Sequence, residues 1–107
     1  MNELATRLLA AIDAERLKGR LVDMVNTPSL TQNAKAMAEL FAGMMNEIGV
    51  PAELRPLAGL PDSPGVVGRL KGAGAGPTLQ LAGHMDVIHT PHAAPFVEGD
   101  RVHGRGA

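Results

Sequence analysis

The chain has 107 residues, 45% of them hydrophobic and 20% charged, the composition of a globular protein rather than a disordered one. Its 10 basic and 11 acidic side chains leave a net charge of −1, which gives no electrostatic footprint for nucleic acid. The absence of cysteine excludes a disulfide framework, a thiolate zinc site and a cysteine nucleophile. No apolar run is long enough to cross a bilayer, and Met1-Asn2-Glu3-Leu4 lacks the basic-then-apolar order of a secretion signal. The expectation is one domain, residues 1–107, in the cytoplasm. Area scaling for this mass gives about 16,000 Å² extended and about 5,700 Å² folded, so about 65% could be buried around one modest core.

The first third predicts helix. Leu4, Leu8 and Ile12 form one apolar stripe, and Leu17, Leu21, Met24 and Val25 form another. The phase slips between Ile12 and Leu17, which implies a bend or two abutting segments. Pro28 pushes Thr27 out of the helical region and ends this stretch at Asn26-Thr27-Pro28-Ser29. A second helical region follows, with Ala34, Met37, Ala38, Phe41, Met44, Met45 and Ile48 on one face of a 3.6-residue period. Thr31 or Ser29 suits its N-cap, and Gly49 suits a left-handed stop. The methionines on that face read as core filling.

The pattern then changes to alternation. Ala52–Leu57 reads as a half-buried strand whose Pro56 confines it to an edge or terminus. Residues 60–64 read as a loop, and Val66–Leu70 and Thr78–Ala82 as two more strands. Val97–Val102 reads as a short hairpin around Gly99-Asp100. Gly72, Gly74 and Gly76 resemble a dinucleotide fingerprint only superficially, because Pro77 and a strand follow where that motif needs a helix N-terminus. Two helical regions followed by a mostly parallel or mixed sheet make an α/β fold.

The chemically informative stretch is Leu79-Gln80-Leu81-Ala82-Gly83-His84-Met85-Asp86-Val87. In extended backbone, residues two apart share a face, so His84 and Asp86 point the same way. An imidazole can bind a metal through one nitrogen while a carboxylate holds the other N–H, fixing the tautomer. Gly83 leaves room there for close approach of backbone or metal.

Together with Pro95-Phe96, Gly99-Asp100-Arg101-Val102 and His103-Gly104-Arg105-Gly106-Ala107, the Gly83–Val87 segment resembles the N-terminal portion of the M20 metallopeptidases. That family includes acetylornithine deacetylase, succinyl-diaminopimelate desuccinylase and related carboxypeptidases and dipeptidases. The upstream order fits as well: Leu21–Val25 before Thr27-Pro28-Ser29, then an amphipathic helix ending near Gly49, then a strand. The resemblance implies the N-terminal part of a zinc-peptidase-like catalytic domain, holding a co-catalytic pair of zinc ions for which cobalt or manganese can substitute. The implied reaction is hydrolysis of an amide bond, in a peptide or an N-acyl amino acid, by a metal-activated water. His84 maps to a metal ligand and Asp86 to the active-site residue that orients it.

The family's bridging Asp, its Glu–Glu pair, its further acidic ligand and its late His have no counterpart in these 107 residues. A catalytic zinc needs about three protein ligands, so the expectation is a chain inactive by itself, missing the rest of its catalytic domain. The expected partners are a small-molecule or peptide substrate of the complete enzyme, with no nucleic acid and no membrane. Exposed apolar sheet surface would add self-association, or a complementing chain. Two other readings stand beside this one: a non-catalytic binding or regulatory remnant, and one chain of a split metallohydrolase. His89 and His92 could join His84 as a ligand set, but Pro91 disfavours the turn that would align them, and they read as loop histidines near the active-site rim, in a loop shorter than in many M20 members. His103 stands where the family usually carries an aromatic, and reads as a packed polar ring. Arg105, between two glycines, reads as an ion pair holding a turn. Glu15, Arg16 and Lys18 read as a solvated helix face.

Overall fold

A computed structural model describes all residues from Met1 to Ala107, in two compact units: Met1–Asn26 with His92–Ala107, and Thr27–Pro91. It contains three helices and two small antiparallel sheets, a small α/β arrangement.

In the first unit, α1 (Glu3–Ala10) and α2 (Ala14–Val25) are separate helices, as the phase slip required. Each has its own side-chain cap: Asn2 accepts from the Ala5 amide at 2.8 Å, and Asp13 from the Arg16 amide at 3.0 Å. These bonds satisfy amides that have no partner within the helix. The hairpin of β3 (Phe96–Glu98) and β4 (Arg101–His103) turns through Gly99, whose φ of 61° is one that side-chain-bearing residues rarely adopt. α2 packs on both strands of this hairpin. Lys18 is only 24% exposed at its side chain, and it bridges Glu15 at 2.6 Å and the Gly99 carbonyl at 3.4 Å. It is therefore a packing residue rather than part of a solvated face.

In the second unit, α3 (Lys35–Glu47) packs on the hairpin of β1 (Ala52–Leu57) and β2 (Leu60–Gly68). The apolar residues buried here are Ala34, Met37, Ala38, Ala42 and Met44, so methionine fills the core as the periodicity implied. α3 stops at Gly49, whose φ is 83°.

Four expectations are corrected. First, the N-cap position of α3 is Ala34, which offers no side-chain cap; Ser29 and Thr31 lie upstream of it and their hydroxyls bond elsewhere. Second, residues 60–64 belong to β2 rather than to a loop. Between the pairs Arg55↔Gly65 and Leu57↔Leu60, only Pro56 intervenes on β1 while residues 61–64 intervene on β2. Pro61 and Pro64 are tolerated there because the irregular register asks them for no ladder hydrogen bond.

Third, the sheet is not mostly parallel. Short turns join β1 to β2 and β3 to β4, and a two-residue connection permits only antiparallel pairing. The one parallel contact is the isolated bridge Leu30↔Val87. Fourth, Thr78–Ala82 forms no strand: Leu79 and Leu81 are 83% and 88% exposed, with no neighbouring segment to pair with. The accessible surface, 8355 Å², accordingly exceeds the roughly 5,700 Å² of area scaling.

Candidate functional site

The site lies in the second unit, where Ser29–Thr31 and Met85–Val87 run side by side. The Val87 amide donates to the Ser29 carbonyl at 2.7 Å, and the Thr31 amide donates to the Val87 carbonyl at 3.3 Å. Ser29, buried to 1% exposure, donates its hydroxyl to the Met85 carbonyl. Pro28 favours this geometry by keeping the chain beside it extended. Residues 85–87 are thus held from one side by a ladder and a buried hydroxyl.

On this clamp sit the two residues singled out from sequence. His84 Nδ1 lies 3.1 Å from Asp86 Oδ1 and 3.0 Å from the Asp86 carbonyl oxygen. Both partners are acceptors, so Nδ1 carries the proton and donates to them. In the neutral ring the lone pair then resides on Nε2. The other carboxylate oxygen, Oδ2, accepts the Thr31 hydroxyl at 2.8 Å. The His84 side chain is 85% exposed and that of Asp86 is 37% exposed, so the ring is presented to solvent while its brace is partly sheltered. The Thr31 hydroxyl is the main cause holding the Asp86 carboxyl below its ordinary range. It outweighs desolvation, and the backbone amide of Asp86 and His84 add to it.

An open depression adjoins the couple. Phe41, Leu57, Leu60 and Val66 supply its apolar wall, with Ser63 and Gln32 as polar points. Gln32 holds a left-handed φ of 68° in the tight turn that the Asn33 amide closes on the Leu30 carbonyl at 2.7 Å. A Cβ added at Gly83 would meet nothing within 4 Å, so no close approach of backbone explains that glycine.

The donors fit one corner of a metal site. His84 offers a braced imidazole with a free Nε2 lone pair, the form in which histidine ligates. No group of three or more His, Cys, Asp or Glu comes together to hold an ion. In the first unit, His103 is a packed ring, stacked on Phe96 with centroids 4.5 Å apart and planes 4° from parallel. Its Nε2 lies 3.3 Å from Glu98 Oε2 but outside hydrogen-bonding alignment.

Sequence reasoning brought His84 and Asp86 together correctly but missed Thr31 and Ser29 as their supports. Both were read as helix caps, and the bonds they make instead span 55 and 56 residues. No local pattern signals partners at that separation.

The chain is related to the M20 metallopeptidases, as its ordered motifs implied. It is 36% identical over 94 residues to a succinyl-diaminopimelate desuccinylase of Methylobacterium sp. (strain 4-46), in a match covering 78% of this chain and 23% of the relative. It is 35% identical over 94 residues to the corresponding desuccinylase of Methylobacterium nodulans, with the same coverage. The chain thus spans about a quarter of the length of these curated relatives. No family model and no solved structure matches it. No helix is long and apolar enough to cross a membrane.

Proposed function

We propose that this chain supplies one metal-ligand corner of a metal-dependent hydrolase acting on the amide bond of N-acyl amino acids. The observation that carries the reading is the position of His84 Nδ1, 3.0 and 3.1 Å from two acceptor oxygens of Asp86, which favours the proton on Nδ1 and leaves Nε2 as the ligating nitrogen. The similarity to desuccinylases supports the substrate class, since the hydrolysis of a succinyl amide is a deacylation.

In this reading His84 is the ligand and Asp86 is the residue that holds the ring in its binding tautomer and orientation. Zinc, when bound, would activate a water and polarise the amide carbonyl. The apolar wall of Phe41, Leu57, Leu60 and Val66 beside the couple offers a surface against which substrate and water can be separated. A single imidazole binds zinc weakly, so His84 by itself makes no tight site.

Titrating zinc into the chain while following its imidazole nitrogens by NMR tests this. We expect weak binding, with His84 Nε2 perturbed first and the effect abolished in His84→Ala. Submicromolar binding that survives His84→Ala, or an untouched His84 Nε2, would overturn the reading. Adding N-succinyl amino acids and zinc to the isolated chain should give no turnover. Sustained hydrolysis would show that the ligand set is complete.

A further inference from the structure

We infer that Thr31 is a positioning residue for the His84–Asp86 couple: its hydroxyl locks the Asp86 carboxylate so that the His84 proton stays on Nδ1. The inference rests on the reading of His84 as a ligand, and it adds a residue to which no role at the site attaches otherwise.

The two oxygens of Asp86 divide their work. Oδ2 takes the Thr31 hydroxyl at 2.8 Å, and Oδ1 lies 3.1 Å from His84 Nδ1. A carboxylate on its own turns broadly about its last torsion. With one oxygen pinned, the other is held where the ring can reach it. The pin is itself fixed, because Thr31 belongs to the segment laddered onto Val87 through its own amide at 3.3 Å.

A merely local role for Thr31 does not account for this. A hydroxyl just before a helix ordinarily caps it. Thr31 lies three residues upstream of Ala34, the N-cap residue of α3, which has no side-chain cap, and its hydroxyl reaches a carboxylate 55 residues away. Serine can keep this bond, whereas valine matches the shape of threonine and cannot donate.

The test uses the metal-free, ¹⁵N-labelled full chain at about pH 8.5, above the usual histidine range. Long-range proton–nitrogen correlations then report which ring nitrogen carries the proton. In the wild type His84 should be predominantly the Nδ1–H form. In Thr31→Val the ratio of Nδ1–H to Nε2–H forms should fall by up to about fivefold, the size of one ordinary net hydrogen bond, since the Asp86 carbonyl still accepts from Nδ1. Thr31→Ser should restore the wild-type ratio. The backbone amide spectrum, with Val87 as reporter, checks that the clamp persists, and Thr31→Ala replaces the valine variant if that one does not fold.

An unchanged ratio in Thr31→Val, with zinc still perturbing Nε2 of the wild type, would overturn the role of Thr31 and leave the ligand reading intact. A ratio that falls as expected, with zinc never perturbing Nε2, would overturn the ligand reading and leave the role of Thr31 standing. A wild type with its proton on Nε2 would overturn both.

Discussion

Truncating Met37 to alanine, beside the matching truncation of Leu81, measures where the hydrophobic core lies. Met37 is 5% exposed on the buried face of α3, whereas Leu81 is 88% exposed. Burying a methionine side chain is worth about 1.5–3 kcal/mol. Deleting a core methionine usually costs about 2–5 kcal/mol once the cavity is included. α3 packs on a single two-stranded hairpin, a thin layer that can partly close the gap, so the lower part of that range applies, about 2.5 kcal/mol. Leu81→Ala removes atoms that already face water and should stay within about 0.5 kcal/mol.

Urea unfolding followed by far-UV circular dichroism is the suitable assay, because the chain has no tryptophan or tyrosine to serve as a fluorophore. With a slope of about 1.5 kcal/mol per M, the Met37→Ala midpoint should fall by about 1.7 M while that of Leu81→Ala barely moves. If Leu81→Ala fell as far as Met37→Ala, residues 78–82 would be a buried strand in solution and the placement of the core would be wrong.

Two glycines should differ in what they tolerate. A Cβ at Gly104 would run into Val25 Cγ1 and lie 3.3 Å from Pro95 Cβ, both stiff, so Gly104→Ala should cost about 1–3 kcal/mol. At Gly68 a Cβ would run into the terminal methyl of Met45, which can swing aside, and would lie 3.2 Å from Val50 Cγ1, which must give only slightly, so Gly68→Ala should cost less than Gly104→Ala. Thermal melts that ranked the two in the opposite order would refute this. Acid should weaken the clamp in a definite direction. The folded chain holds the Asp86 carboxyl below its ordinary range, chiefly through Thr31, so folding gains stability above the unfolded carboxylate pKa of about 3.9. That contribution is lost as pH falls through the lower folded value. Urea midpoints followed down from about pH 6 should decline less steeply in Asp86→Asn than in the wild type, and equal slopes would refute the assignment.

Legibility in this sequence follows the range of the interaction concerned. The apolar face of α3 at Met37, Ala38 and Met44, the stop at Gly49, the break between α1 and α2, and the hairpin at Gly99-Asp100 are each encoded within a few residues, and each appears where it was read, although Ile48 at the end of that face is exposed. The His84–Asp86 couple is equally local: a spacing of two in extended chain is enough to bring Asp86 Oδ1 to the ring nitrogen. Alternating apolar residues at 78–82 encode a segment able to form a strand, but a strand also needs a second segment to bond with, and none lies beside it. The hydroxyls of Ser29 and Thr31 could have capped a helix or bonded to something distant. Only the tertiary fold, by laying residues 29–31 against 85–87, decided that they would hold the site.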